Sequence, residues 1–197
     1  LPVLGIALLL PFAIQPVIGW LGVAVQWLYP VNPALEAGLN SLMTMLDQAP
    51  WWWVFVAIAV VPAVFEELAF RGFMLSGLQS ETRDWTAILI TAAFFGITHG
   101  ILQQSLSAGF MGILLGYIAV RTDSIIPTMI IHLIHNGIVV MTDKITEIKS
   151  LVDRFQVEYS GIGSMYSPVA TVVGTLVACG LLYVLYQSTK ANCVDQE

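Results

Sequence analysis

Charged residues are scarce in this sequence. They make up 10% of the 197 residues, against about 25% in an average soluble domain, whereas 57% of the residues are hydrophobic. This balance excludes an ordinary soluble fold and is typical of a membrane protein. The seven basic residues form no run, so the sequence indicates no nucleic-acid partner.

Cysteine is also nearly absent. Cys179 falls within an apolar run and Cys193 falls in the polar tail. The two predict neither a disulfide framework nor a metal-binding pattern. The chain begins at Leu1 rather than Met, as a processed or truncated product would, so its start carries no information on a signal peptide.

Long apolar runs dominate the sequence instead. A bilayer core about 30 Å thick is spanned by about 20 apolar helical residues. Polar turns separate runs near residues 1–28, 51–79, 85–101, 106–120, 124–142 and 166–187. We therefore predict one all-α membrane domain over residues 1–197, a multi-pass transmembrane helix bundle of about six spans. Its motif-bearing core covers about 51–142 and its C-terminal span about 166–187.

Two polar segments between these runs carry apolar residues at helical spacing. Residues 31–50 predict a short amphipathic helix, which either lies in the membrane interface or packs on the bundle as a connecting helix. Residues 143–165 predict a second interfacial helix.

The stretch Glu66-Glu67-Leu68-Ala69-Phe70-Arg71 places three ionisable side chains inside the second apolar run. Charges at membrane depth are usually paired or functional. Arg71 follows Glu67 by four residues, a spacing that brings opposite charges together on a helix face, so we predict a structural Glu67–Arg71 pair. Neighbouring residues differ by about 100° around a helix, so we expect Glu66 to face elsewhere.

Spacing predicts that His99 lies opposite Glu66. The second and third runs are joined by a turn near Arg83, and Glu66 and His99 lie 17 and 16 residues from it. The two are therefore at similar depth in an antiparallel hairpin. His132 and Asn136 are four residues apart and share a face of the fifth run. We predict an inward cluster of Glu66, His99, His132 and Asn136.

These groups are suited to hydrolysis by an activated water. A carboxylate with a nearby imidazole can hold a water and take its proton. A second histidine and an asparagine amide can donate hydrogen bonds to a developing oxyanion. No serine or cysteine is evidently tied to the cluster as a nucleophile.

Three motifs in the sequence resemble those of the CPBP family of intramembrane glutamic endopeptidases. This family, also called Abi, includes the type II CAAX prenyl proteases and bacteriocin-processing enzymes. The motifs occur in the family's order and all defining positions match: Glu66-Glu67-x-x-x-Arg71, Phe95-x-x-x-His99 and His132-x-x-x-Asn136. The resemblance covers about residues 51–142.

The resemblance implies a role for each motif. Glu66 and His99 would activate water, His132 and Asn136 would form an oxyanion hole, and the ion pair of the first motif would be structural. The site would lie in a cavity within the cell (inner) membrane. Its partners would be the lipid bilayer and a protein or peptide substrate. In the CAAX proteases that substrate is prenylated and loses its last three residues, whereas other members process leader peptides.

Other interpretations of the same residues remain open. His135 lies outside the motifs and is interpreted as a hydrogen-bonded packing residue, and Phe95 as a packing residue that shapes the site wall. Glu66 and Glu67 could both be structural. A non-catalytic immunity or scaffold protein would bind a partner without cleaving it, although intact motifs argue against this. Intramembrane Glu and His also mark proton relays, but the short chain has no evident inverted repeat of a transporter.

A zinc site is the nearest chemical alternative. Glu66, His99 and His132 are three side chains of types that bind zinc, and one coordination position would stay open. The sequence lacks the His-Glu-x-x-His arrangement of helical zinc proteases, and asparagine is a poor zinc ligand. We therefore expect no metal and no cofactor, with a zinc-dependent membrane protease as the alternative.

Overall fold

The computed structural model describes residues 2–159 and 163–194, which form eight helices and one two-stranded hairpin. In chain order these elements are α1 (Pro2–Leu28), α2 (Pro33–Gln48), α3 (Trp51–Gln79), α4 (Asp84–Ile97), α5 (Leu102–Thr122), α6 (Ile126–Lys144), α7 (Thr146–Asp153), β1 (Gln156–Tyr159), β2 (Gly163–Tyr166) and α8 (Pro168–Val194). The prediction of an all-α multi-pass bundle is confirmed.

All six predicted runs form helices, but they differ in length. Within the described ranges, α1, α3, α5 and α8 are the four helices long and apolar enough to cross a membrane. Helices α6 and α7 meet at a bend of 101° and provide a fifth span if they are taken as one. Helix α4 is apolar but has only 14 residues. The span count is therefore four to five, against the predicted six.

Helix α3 contains two wide π-helical stretches, Val56–Val60 and Leu68–Leu75. Pro62 follows the first and has no N–H, so the Ile58 carbonyl four residues earlier lacks its usual helical donor. Asn136 of α6 donates its Nδ2–H to this carbonyl at 3.1 Å. A neighbouring helix thus satisfies the freed carbonyl, which is how membrane helices tolerate proline.

Two apolar clusters hold the helices that carry the site. The larger joins α1, α5, α6 and α8 through buried side chains that include Leu10, Leu115, Ile118, Ile131 and Leu185. The smaller joins α3, α4 and α5 through Leu75, Ala87, Ile88 and Ala119. Helix α5 belongs to both clusters and so connects the two halves of the bundle.

Helices α4 and α5 pack backbone against backbone at Gly112. A Cβ at this position would lie 2.9 Å from the Cα of Ala92, nearer than Cβ atoms pack. Only glycine fits this crossing without a backbone shift. The Gly112 carbonyl in turn accepts a hydrogen bond from Arg71 Nη2 at 3.3 Å, which ties α3 to the crossing.

The segment predicted as a helix over 143–165 has a different structure. Helix α7 ends at Asp153, and β1 then pairs antiparallel with β2, with Gln156 opposite Tyr166. Residues 160–162 lie outside the described part. Valine and tyrosine in Gln156–Tyr159 favour a strand, and the hairpin has a partner on α1. Trp20 Nε1 donates to the Tyr166 carbonyl and to Thr171 Oγ1, both at 3.1 Å.

Helix α2 forms where an amphipathic helix was predicted. The Asn32 side chain accepts from Ala34 N at 2.8 Å and caps its first turn. None of its residues is buried, and Lys144 of α6 pairs with Asp47 near its end at 3.3 Å. The helix is thus fastened at one end and otherwise exposed, which does not fit a helix packed along its length on the bundle.

Candidate active site

Glu67 is the most enclosed carboxylate of the first motif. Its side chain is fully buried, and its Oε1 accepts hydrogen bonds from Arg71 Nη1 at 2.7 Å and from His132 Nδ1 at 2.9 Å. The contact with Arg71 is the one that the spacing of four residues predicts. Burial of such a pair is tolerated because each charge has its partner, and loss of one partner would leave the other charge uncompensated.

Glu66 approaches the same imidazole from its other edge. Its Oε2 lies 3.8 Å from His132 Nε2, and its side chain is 35% exposed. Although the two glutamates point in different directions from the helix, both lie beside His132, because its ring has one nitrogen on each side. No contact within 4.0 Å joins Glu66 to His99 in the part of the chain that the structure describes. The predicted pairing of Glu66 with His99 is thus not a direct one.

His99 lies just beyond the end of α4 rather than within a helix. Its backbone N–H bonds to the Gly96 carbonyl, and Gly100 follows with a φ of 71°, a conformation that favours glycine. The Phe95 carbonyl consequently lacks its backbone donor from residue 99. His99 Nδ1 and Thr98 Oγ1 both donate to it instead, each at 2.8 Å. The bond from His99 places the ring proton on Nδ1 and leaves Nε2 able to accept a proton.

His132 has its orientation set by Glu67. A carboxylate can only accept, so His132 Nδ1 carries the hydrogen of the 2.9 Å bond. The opposite nitrogen, Nε2, is directed toward Glu66. One turn further along α6, Asn136 uses one amide hydrogen on the Ile58 carbonyl and keeps a second hydrogen for another acceptor.

Phe95 is the residue around which the site side chains pack. Its ring centroid lies 5.0 Å from that of His99 and 5.9 Å from that of His132, both edge to face. The guanidinium carbon of Arg71 lies 4.4 Å from the same centroid, in cation–π contact. Phe95 is 2% exposed and so holds both rings against one rigid surface. This matches its interpretation as a packing residue.

A cavity of about 280 Å³ opens beside these residues. Its polar lining includes His99, His132 and Asn136, so the structure brings three of the four predicted catalytic side chains to one space. Glu66 is not one of the lining residues, but its Oε2 lies 3.8 Å from Nε2 of His132, which is one of them. The remaining lining comes from Ile18, Phe95, Gln104, Ser107, Ala108, Met111, Leu115, His135 and Val139.

Sequence reasoning missed one polar contact at this cavity. Gln15 of α1 lies with its Nε2 3.1 Å from Nδ1 of His135. The available signals were an amide within an otherwise uncharged run and a histidine three residues after His132. Neither signal indicates by itself that the two residues meet.

The alternative zinc site requires its three ligands to converge. Over residues 2–159 and 163–194, the structure gathers no group of three or more His, Cys, Asp or Glu side chains that could hold a metal ion. Glu66, His99 and His132 thus do not form the donor set that tetrahedral zinc requires.

Comparison with known proteins finds sequence similarity to a family of prenyl endopeptidases and to one membrane peptidase. Residues 48–138, which contain all three motifs, match the family model described as type II CAAX prenyl endopeptidase Rce1-like. A Bacillus subtilis (strain 168) protein named "Putative membrane peptidase YdiL" is 30% identical over 102 residues. That match takes in 52% of this chain and 41% of the relative, so the chain spans about two fifths of its length. No solved structure matches the chain.

Proposed function

We propose that the chain is a peptidase of the type II CAAX prenyl endopeptidase Rce1-like family, whose model its residues 48–138 match, and that it cleaves a peptide bond with a water that Glu66 and His99 activate. The observation that carries this proposal is the difference between the two glutamates. Arg71 and His132 both bond to Glu67 Oε1, whereas Glu66 meets only one edge of His132 and is partly exposed. Glu66 is thus the carboxylate left to take a proton from water.

His99 is suited to hold that water. Its Nδ1–H is used on the Phe95 carbonyl, so the free Nε2 accepts a hydrogen bond from the water. The water oxygen then bonds to the scissile carbonyl carbon while Glu66 takes its proton. As the carbon–nitrogen bond breaks, Glu66 returns this proton to the leaving nitrogen.

His132 and Asn136 are suited to stabilise the oxyanion of the tetrahedral intermediate. With a proton on each ring nitrogen, His132 donates from Nδ1 to Glu67 and from Nε2 toward the substrate oxygen. The second amide hydrogen of Asn136 provides another oxyanion donor on the same helix face.

The substrate is a protein or peptide that enters the site from the lipid bilayer, and the protein acts in the cell (inner) membrane. Family membership supports either CAAX-type cleavage of a prenylated protein or removal of a leader peptide. The cavity is lined by both apolar and polar side chains, as an apolar peptide segment with a polar backbone requires.

Terminal-fragment proteomics tests this proposal directly. Membranes that contain the wild-type protein are compared with membranes that contain Glu66→Gln. A new C-terminus three residues short of a prenylated cysteine would identify CAAX processing, and a new N-terminus after a leader would identify peptide maturation. Identical fragments from both membranes would reject the peptidase and favour a scaffold or immunity protein.

A further inference from the structure

We infer that His135 is an additional substrate-binding donor in the cavity and that Gln15 positions it. This inference rests on the proposed peptidase function and extends it to two residues outside the three motifs. His135 lines the same cavity of about 280 Å³ as His99, His132 and Asn136. It is adjacent to Asn136 in the chain and faces α1.

The hydrogen bond from Gln15 fixes which nitrogen of His135 carries the proton. The amide nitrogen of Gln15 lies 3.1 Å from His135 Nδ1, and an amide nitrogen only donates. Nδ1 therefore accepts, and the ring hydrogen resides on Nε2. The neutral ring thus offers Nε2–H as a donor to the cavity that it lines.

The burial of Gln15 indicates that its hydrogen bond to His135 is part of the packed core rather than a chance surface contact. Gln15 is 9% exposed and lies on the apolar helix α1. A buried amide without a hydrogen-bond partner is strongly disfavoured, and His135 supplies one. Gln15 also lines a second, apolar cavity of about 500 Å³ between α1, α6, α7 and α8. The Gln15–His135 pair therefore forms part of the partition between the two cavities.

The chemistry of Nε2–H suits a main-chain carbonyl of the bound peptide. The proposed oxyanion donors are His132 and Asn136, so His135 binds a carbonyl beside the scissile bond rather than the scissile one. Such a bond is present equally in the ground state and the transition state. Its loss raises KM and leaves kcat nearly unchanged.

Steady-state kinetics on purified protein provide the first test, with a fluorescence-quenched, farnesylated peptide that ends in Cys-Val-Ile-Met as the probe. His135→Leu should raise KM about fivefold to tenfold with kcat within about twofold, as expected for one lost hydrogen bond. His135→Gln, which keeps a donor, should restore part of this loss. Gln26→Leu, at an exposed position of α1, the helix that carries Gln15, is the control and should change neither constant.

The double variant tests whether Gln15 acts through His135. Gln15→Leu should raise KM by less than His135→Leu, and the two changes together should have no more effect than His135→Leu alone. Additive effects, or an unchanged KM in folded His135→Leu protein, would overturn the inference.

Nitrogen NMR of histidine-labelled protein in micelles gives a result that does not need catalysis. We expect the His135 signals of a neutral ring with the proton on Nε2 and loss of that preference in Gln15→Leu. A wild-type proton on Nδ1 would overturn the inference even if the peptide is cleaved. A wild-type protein with the Nε2 proton that cleaves neither this probe nor any membrane protein would refute the proposed function while retaining the Gln15–His135 positioning.

Discussion

Glu66 and Glu67 flank a single imidazole: Glu67 Oε1 lies 2.9 Å from Nδ1 of His132, and Glu66 Oε2 lies 3.8 Å from Nε2. The first contact is a hydrogen bond and the second is not. Glu67 bonds to the ring and to Arg71, whereas Glu66 makes no hydrogen bond to the ring and is the proton acceptor in the proposed mechanism. The adjacent carboxylates therefore have separable roles, and substitution can distinguish them.

Glu66→Gln should abolish turnover and leave the fold intact. The amide has almost the shape of the carboxylate but cannot take a proton from water, so kcat should fall by about 100- to 10,000-fold. Peptidase assays on purified protein measure the loss, and thermal unfolding in micelles should give an unchanged Tm. Glu36→Gln, on the exposed helix α2, is the control. Full activity in folded Glu66→Gln protein would reject the mechanism.

Glu67→Ala should lower stability more than it lowers intrinsic turnover. It leaves the Arg71 guanidinium, which is 0% exposed, without its carboxylate, at a cost of about 3–5 kcal/mol. Protein yield and unfolding in micelles measure this effect. Glu67→Leu combined with Arg71→Met removes both charges and should recover part of the loss. If Glu67→Ala protein has normal stability but no turnover, Glu67 is the catalytic carboxylate and Glu66 is the structural one.

His99→Gln should keep the local turn and lose activity. The glutamine amide can still donate to the Phe95 carbonyl, but it offers no imidazole nitrogen to hold and polarise the water. We expect kcat to fall by about 100-fold or more with KM nearly unchanged. His99→Ala should lose both activity and stability. Wild-type stability and wild-type activity in both variants would show that His99 neither supports the turn nor takes part in turnover.

Asn136 should have two effects that Pro62 can separate. Asn136→Leu leaves the Ile58 carbonyl unsatisfied, which should lower the free energy of unfolding by about 1–3 kcal/mol. It also removes an oxyanion donor, so kcat should fall by about 100- to 1,000-fold. Pro62→Ala restores a backbone N–H for Ile58. In that background, Asn136→Leu should cost less stability but still abolish most turnover; equal stability losses would contradict this assignment.

Removal of divalent metal should leave peptidase activity within about twofold of its starting value. The zinc alternative needs Glu66, His99 and His132 as shared ligands, and the described residues do not bring them into such a group. Dialysis of purified protein against a strong chelator, followed by the peptide assay, makes the comparison. Complete loss of activity that added zinc restores would establish a metalloenzyme instead.

The sequence predicted contacts within one helix better than contacts between helices. The resemblance to the family over residues 48–138, the membrane bundle and the helical character of the six runs are confirmed. The Glu67–Arg71 contact follows from spacing because a distance of four residues specifies both height and direction. Equal depth of Glu66 and His99 specified only height. It did not reveal that α4 ends at Ile97 or that His132 would lie beside both glutamates.

Contacts between distant segments were beyond pattern reasoning. Strand β2 accepts a hydrogen bond from Trp20, which lies more than 130 residues earlier in the chain. Helical periodicity in the residues before β1 suggested a longer helix instead. The contact between Gln15 and His135 likewise joins α1 and α6, and no sequence pattern indicates that these two helices are neighbours. Apolar periodicity also gave no signal for the two π-helical stretches of α3.

Because helix α4 is short, we expect the environment of His99 to depend on the thickness of the bilayer. Its 14 residues extend over about 21 Å, whereas the hydrocarbon core is about 30 Å thick. A helix of this length that begins at one membrane surface ends short of the other, so we expect the turn that carries His99 to lie below that surface. A thinner bilayer relieves this mismatch and brings interfacial water closer to His99, whereas a thicker one buries the turn beneath lipid. If the proposed mechanism holds, we expect turnover to depend on the acyl-chain length of the surrounding lipid, because that length sets how near interfacial water lies to His99.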